Sequence, residues 1–177
     1  DPDRQKRILA EGRGSYQVHA FHGHGDFPYF AQLVDLNLLP MRRKLGVTEP
    51  WYANETALTS TEGGERKQAE ALFKKLLYAW SRGSIGYNWY DLRDDGYSKA
   101  DGEHNYGMLT HDFQPKPGYA VYNMLAGTFS GAEFLRQEQV AGAKNLWLFT
   151  FRSGNTLLLP GCQGHRGLVA KLLSLMK

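Results

Sequence analysis

An α/β fold with a parallel sheet, followed by a smaller antiparallel β unit, is predicted for this 177-residue chain by three observations. Two runs with strand character, Trp51-Tyr-Ala-Asn-Glu-Thr-Ala-Leu58 and Ser84-Ile-Gly-Tyr-Asn-Trp-Tyr90, flank one strongly amphipathic helical run. Polar and aromatic residues collect at the carboxyl ends of both strands, as they do on the functional face of a (β/α)₈ barrel. After Gly127 the helical period gives way to short, turn-bounded strand patterns.

The elements follow in order. Residues 3–11 have the character of the last turns of a helix, stopped by Gly12 and Gly14. Tyr16 to His22 alternates loosely between glycines, which predicts a strand. Phe27 to Leu45 places Phe30, Leu33, Val34, Leu38 and Leu45 at helical spacing, with Pro40 expected to end or kink the helix. Val47 to Leu58 holds the next strand, and Thr59-Ser-Thr-Glu62 supplies helix-start chemistry. The helix over 64–81 is predicted to bury Ala69, Leu72, Phe73, Leu76, Leu77 and Trp80 and to turn Arg66, Lys67, Lys74 and Lys75 to solvent. Gly83 closes it, Ile85 to Tyr90 forms a strand, and Asp91 to Asn105 is a long polar loop. Residues 117–126 read as a helix started by proline. Phe134–Val140, Asn145–Phe151 and Thr156–Leu159 are short strands joined by Gly-Ala and Ser-Gly-Asn turns. Leu168 to Met176 fits an amphipathic helix or a strand.

Composition narrows the function classes. Hydrophobic residues at 42% and charged residues at 22% are ordinary for a globular chain. The net charge of +3 is spread out, and its densest cluster, Met41-Arg-Arg-Lys44, sits at a helix end where cations suit the dipole. No basic stripe of a nucleic-acid binder is present, and no run has the roughly 18 apolar residues of a membrane helix, so neither nucleic acid nor membrane is an expected partner. A single cysteine, Cys162, excludes an internal disulfide, and no cationic neighbour marks it as reactive. The chain opens on Asp1-Pro-Asp-Arg, without Met, in a helix-like run. We expect that the N-terminus is a cut, and place the protein outside the cytoplasm, secreted or periplasmic, ahead of inside it.

Several side chains are candidates for chemistry. Glu55 is a lone carboxylate at a strand end, suited to act as nucleophile or acid/base on a sugar. His19, His22 and His24 make H-x₂-H-x-H, but strand geometry puts His19 on the face opposite His22 and His24. With no carboxylate or Cys beside them in the sequence, these histidines are expected to position a substrate or nucleophile rather than a metal. Asp91, Asp94, Asp95 and Asp101 read as a solvated loop, and Glu103 as a loop ion pair. The high aromatic share, 13%, with ten Tyr and four Trp, suits either sugar platforms or core.

Three segments resemble the C-terminal part of clan A retaining glycoside hydrolases. Val18-His-Ala-Phe-His22-Gly-His24 is similar to that family's sixth barrel strand, Asn54-Glu55-Thr to the seventh, and Trp89 to the aromatic ending the eighth. Tyr106-Gly-Met-Leu-Thr-His-Asp-Phe-Gln-Pro-Lys-Pro-Gly-Tyr119 resembles the stretch after strand eight. Asn-Glu also ends strand four in these enzymes, but only one more strand and helix separate Glu55 from the β-rich tail, which favours strand seven.

The resemblance implies that residues 1–127 are the C-terminal part of a (β/α)₈ barrel, strands six to eight, and that residues 128–177 are a small β-rich domain or partial β-sandwich. It implies a glycosidase with Glu55 as catalytic nucleophile and His22, His24, Asn54, Trp89, Tyr90 and Asp91 as substrate-binding residues. The substrate would be a carbohydrate, with no cofactor and no metal. The acid/base carboxylate would lie upstream of Asp1, in the missing N-terminal part of the barrel. Two other readings stand beside it: a non-catalytic carbohydrate-binding or scaffold module on the same fold, and a zinc hydrolase built on the histidines.

Overall fold

Three parallel strands in the order β1-β2-β3 carry the N-terminal half of the chain. The computed structural model describes residues 2–139, 146–154, 156–163 and 168–173. The elements are α1 (Pro2–Glu11), β1 (His19–His22), α2 (Phe27–Gln32), a π-helical stretch (Leu33–Leu38), α3 (Leu39–Lys44), β2 (Trp51–Thr56), α4 (Gly64–Ser81), β3 (Ser84–Trp89), a 3₁₀ turn (Glu103–Asn105), α5 (Pro117–Phe129), and strands β4 (Glu133–Gln139), β5 (Leu146–Ser153), β6 (Thr156–Gln163) and β7 (Leu168–Leu173). The chain divides into two compact units, Asp1–Gly118 and Tyr119–Lys177.

In the first unit, the expected parallel neighbours are found, with shorter strands. β1 begins at His19, because Tyr16 to Val18 form a bend whose backbone has no strand partner. Phe21, Trp51 and Ala53 are buried on one side of the sheet, and the Phe21 ring meets Phe30 at 6.5 Å and Trp51 at 6.1 Å. Pro40 does not end its helix. The ladder widens to a π register just before it, with the Leu39 N–H bonded to the Val34 carbonyl, so the missing proline donor falls at a join between two registers.

The helix over 64–81 forms as predicted and buries Ala69, Leu72, Phe73 and Leu77. Three expectations about it fail. Thr59–Glu62 do not cap it: they make a separate turn, the Thr59 hydroxyl donates to the Gly102 carbonyl, and the residue before Gly64 is a left-handed Gly63. Leu76 and Trp80 are half-buried and line an open groove with Ile85, Gly86 and Tyr87. Lys75 is completely buried instead of facing solvent.

The loop after β3 is not wholly solvated. Asp94 is buried and accepts from the buried Lys116 ammonium at 2.8 Å and from the Gly107 N–H at 2.9 Å. The Gly107 backbone passes so close that a side chain there would meet the Asp94 nitrogen at 2.1 Å. The Lys-Pro segment is thereby fixed beneath the loop.

α5 starts at Pro117 and runs past Gly127 to Phe129, most of it in the second unit. The strands β4-β5-β6-β7 form one antiparallel sheet, and Leu168–Leu173 resolves as a strand, not a helix. Phe151 is fully buried between Phe129 and Phe134, with ring centroids 5.3 and 5.4 Å away. The predicted strand ends at Val140 and Asn145, and the last predicted residues up to Met176, lie outside the described residues, as does the Cys162 side chain. Among the described residues no helix is long and apolar enough to cross a membrane.

Asp94→Ala should lower unfolding free energy by about 3–5 kcal/mol, because it leaves the Lys116 ammonium buried without its partner. Urea denaturation measures this, and Asp94→Leu combined with Lys116→Met should recover most of the loss.

Candidate active site

Glu55 owes its direction to a β-bulge. Ala53 pairs with Phe21, but the next pair joins Glu55 to His22, so β2 has one extra residue there. Regular alternation would put Asn54, not Glu55, on the face of His22. The bulge substitutes the carboxylate. Polar side chains stitch the disturbed ladder: the Thr56 hydroxyl donates to the Asn88 carbonyl at 3.0 Å, and the Ala53 N–H donates to Ser84 Oγ at 3.1 Å.

The result is a compact trio at the carboxyl ends of β1 and β2. His24 Nε2 donates to Glu55 Oε1 at 2.9 Å, and His22 Nδ1 lies 3.6 Å from Glu55 Oε2. The Glu55 side chain is 35% exposed, so its carboxylate is anchored yet open to a ligand. Ligand atoms of His22, His24 and Glu55 all lie within 4.8 Å of one another, a set that could hold a metal ion. The expectation that no carboxylate joins the histidines therefore fails: Glu55 does, through the bulge and the parallel pairing, neither of which is a sequence neighbour relation.

His19 points to the opposite side, as strand geometry requires. It is buried, and its Nδ1 accepts from Arg42 at 3.2 Å. Burial and then the Arg42 charge push its pKa down to about 4.

The other predicted residues are placed around the trio to different extents. The Tyr90 ring lies 6.2 Å from His24 and 5.6 Å from Tyr106, which itself lies 6.3 Å from His24, so three rings edge the site. Both phenols are held above their usual pKa, by desolvation first and by nearby carboxylates second, and stay protonated donors at neutral pH. Trp89 is buried with its Nε1–H donated to the Tyr106 carbonyl at 3.0 Å. The Asn54 Oδ1 is buried and without a hydrogen-bond partner. Asp91 folds back on its own loop, where Oδ1 accepts from the Leu92 and Arg93 amides.

Sequence reasoning missed Tyr106 as a wall of the site, and Lys75 and Gln68 beneath it. Gln68 Nε2 reaches the carbonyls of Leu58, Asn105 and Tyr106 at 3.0, 3.0 and 3.2 Å, joining the end of β2 to the loop that carries Tyr106. A signal existed: Gln68, Leu72, Lys75 and Ala79 follow a helical stripe, so two polar residues sit in a face otherwise apolar.

By sequence, no family and no curated protein matches the chain. Among solved structures, it is similar to a family 39 glycoside hydrolase from the gut symbiont Bacteroides cellulosilyticus, at 20% identity and a TM-score of 0.65, covering 88% of this chain and 36% of that one. It is also similar to a family 17 β-1,3-glucanosyltransferase from Rhizomucor miehei, at 14% identity and a TM-score of 0.43, covering 68% of this chain and 58% of that one, a likeness too slight to bear on the argument. The chain thus has a glycoside-hydrolase-like partial fold, family 39 belonging to the clan A that its strand ends resemble. It spans 36% of the length of the family 39 chain.

His19 gives a pH test. The unfolded chain takes up its proton near pH 6.5 and the folded chain only near 4. Between those values the unfolded state binds more protons, so stability falls as pH drops through that window, by roughly 3 kcal/mol. Urea titrations at several pH values should show this slope, and His19→Gln should flatten it.

Proposed function

We propose that this chain carries the nucleophile-bearing part of a retaining glycoside hydrolase, with Glu55 as nucleophile. The observation that supports this most is the Glu55 carboxylate, turned by a bulge at the carboxyl end of the middle strand and hydrogen-bonded to His24 at 2.9 Å. In the proposed enzyme β1, β2 and β3 are strands six, seven and eight of a (β/α)₈ barrel, residues 1–127 belong to that barrel, and residues 128–177 form the β-rich domain that follows it in the chain. The remaining strands, and an acid/base carboxylate roughly 5–5.5 Å from Glu55, come from the N-terminal part of the barrel.

The proposed chemistry follows from the contacts. Ionised Glu55 attacks the anomeric carbon of a carbohydrate, the glycosidic oxygen leaves with a proton from the acid/base, and water then releases the sugar from the glycosyl-enzyme. The His24 N–H holds the attacking carboxylate in one orientation, and His22 stands at its second oxygen. Tyr90 and Tyr106 offer flat apolar surface to a sugar ring.

A second reading, a zinc hydrolase, draws on the same trio, since two imidazoles and a carboxylate within 4.8 Å can form a three-ligand site with an open position. Metal analysis separates the two: stoichiometric zinc lost on His24→Ala supports the metal reading, and metal-free turnover supports the glycosidase.

In the full-length protein, a mechanism-based fluoro-sugar should label the peptide containing Glu55. Glu55→Ala should reduce kcat by roughly three orders of magnitude or more. Added azide, entering the space left by the carboxylate, should restore turnover and give a glycosyl azide of inverted configuration. Unchanged turnover after Glu55→Ala removes the nucleophile assignment, and retained sugar binding with no turnover in the unaltered protein points to the non-catalytic module.

A further inference from the structure

Lys75 is the least expected side chain in the molecule. It stands on α4 with no exposed surface. Its Nζ donates to the Gly23 carbonyl at 3.0 Å and to the Ala57 carbonyl at 2.8 Å. The same nitrogen lies 5.4 Å from the centroid of the Phe30 ring and 5.8 Å from that of Trp89. Burial pushes its pKa down to about 7, with Asp26 and Glu62 opposing the fall.

These contacts are arranged around the site. Gly23 is the residue between His22 and His24, Ala57 comes two after Glu55, and Trp89 ends β3. One ammonium thus touches the ends of all three parallel strands. Gly23 is gripped from its other side too, since its N–H donates to the Glu55 carbonyl at 2.9 Å. It must be glycine for this approach: a side chain would meet the Phe30 ring at 2.5 Å. Gly23 and Ala57 each lie one residue past the end of a strand, where the ladder no longer supplies a donor to their carbonyls. A buried cation answers both at once and draws the two backbones to a fixed separation.

We propose that Lys75 is a positioning residue, which sets the distance between the His22–His24 turn and Glu55 by clamping Gly23 and Ala57. It rests on the reading of Glu55 as nucleophile only for its effect on turnover. Lys75 itself touches no group that would react. Its two carbonyls and two ring faces occupy it, so it acts through the backbone. Methionine, of similar length and volume, could fill the space but could not donate to the carbonyls.

The test reads both geometry and rate in the full-length protein. In the unaltered background, Glu55→Gln should displace the ¹⁵N resonance of His24 Nε2, because the acceptor changes from a carboxylate to an amide. In a Lys75→Met background the same substitution should displace it less than half as far. A displacement of full size, with the variant folded by circular dichroism, overturns the proposal. Lys75→Met should also lower kcat by about 10- to 100-fold with KM little changed; an unchanged kcat in an enzyme that needs Glu55 overturns it as well. If Lys75→Met does not fold, Lys75→Gln, which keeps an N–H donor, serves in the same measurement, and an intermediate displacement is expected while a full one counts against the clamp. Should Glu55→Ala leave turnover intact, the nucleophile reading falls, and the His24 resonance still decides the role of Lys75.

Discussion

One extra residue in β2 governs the site. Without the bulge at Asn54 and Glu55, the strand would present its carboxylate to the helix layer, among Ala53, Phe21 and Trp51, where an unpaired charge is strongly disfavoured. With it, Glu55 stands opposite His22 and within hydrogen-bonding distance of His24. The cost of the bulge is a broken ladder, and the surrounding side chains offset it. Ser84 and Thr56 replace ladder bonds on either side, and Gly86 lets the Tyr52 ring lie against β3, since a side chain there would meet that ring at 2.7 Å.

Below the bulge, the strand ends rely on polar groups supplied by a helix. α4 covers the sheet with Leu72, Phe73 and Leu77, yet the same helix sends Gln68 and Lys75 into the interior. Each donates to backbone carbonyls past the strand ends and in the loop beside them: Gln68 to those of Leu58, Asn105 and Tyr106, Lys75 to those of Gly23 and Ala57. A buried amide and a buried ammonium are costly alone, and here each is matched to acceptors on fixed backbone. The loop bearing Tyr106 is further tied by Trp89 and by the Asp94–Lys116 pair. The walls of the site are therefore held by buried hydrogen bonds rather than by apolar contact alone, which suits a surface that must stay open to a ligand.

The sequence carried the parallel layout well, because periodicity reports which face of a helix or strand meets apolar neighbours. Strand 51–56, helix 64–81 and strand 84–89 were legible for that reason. The proline start of α5 and the antiparallel tail were legible from turn chemistry. What escaped was set by tertiary partners. Lys75 is counted as polar by any pattern, and only the carbonyls of Gly23 and Ala57 explain its burial. Asp94 looked like one of four loop aspartates until Lys116, distant in sequence, met it. Glu55 was found, but its partnership with the histidines required a register that no local pattern encodes, and the π stretch before Pro40 likewise answers to the whole helix rather than to the proline.

The sheet's second face bears on how the site would work. Parallel strands are ordinarily covered on both faces, since their residues are apolar on both. Here Phe21 and Ala53 are buried on the helix side, whereas Ala20, His22 and Asn88, on the other face, are exposed. In the proposed barrel this face is the lumen, and further strands would cover Ala20 while leaving His22 and Glu55 at the rim. That would lower the dielectric around the carboxylate and strengthen its hydrogen bond to His24. The trio's geometry is already complete within the parallel sheet, so what the remaining strands would add is enclosure and the second carboxylate, not the orientation of the first.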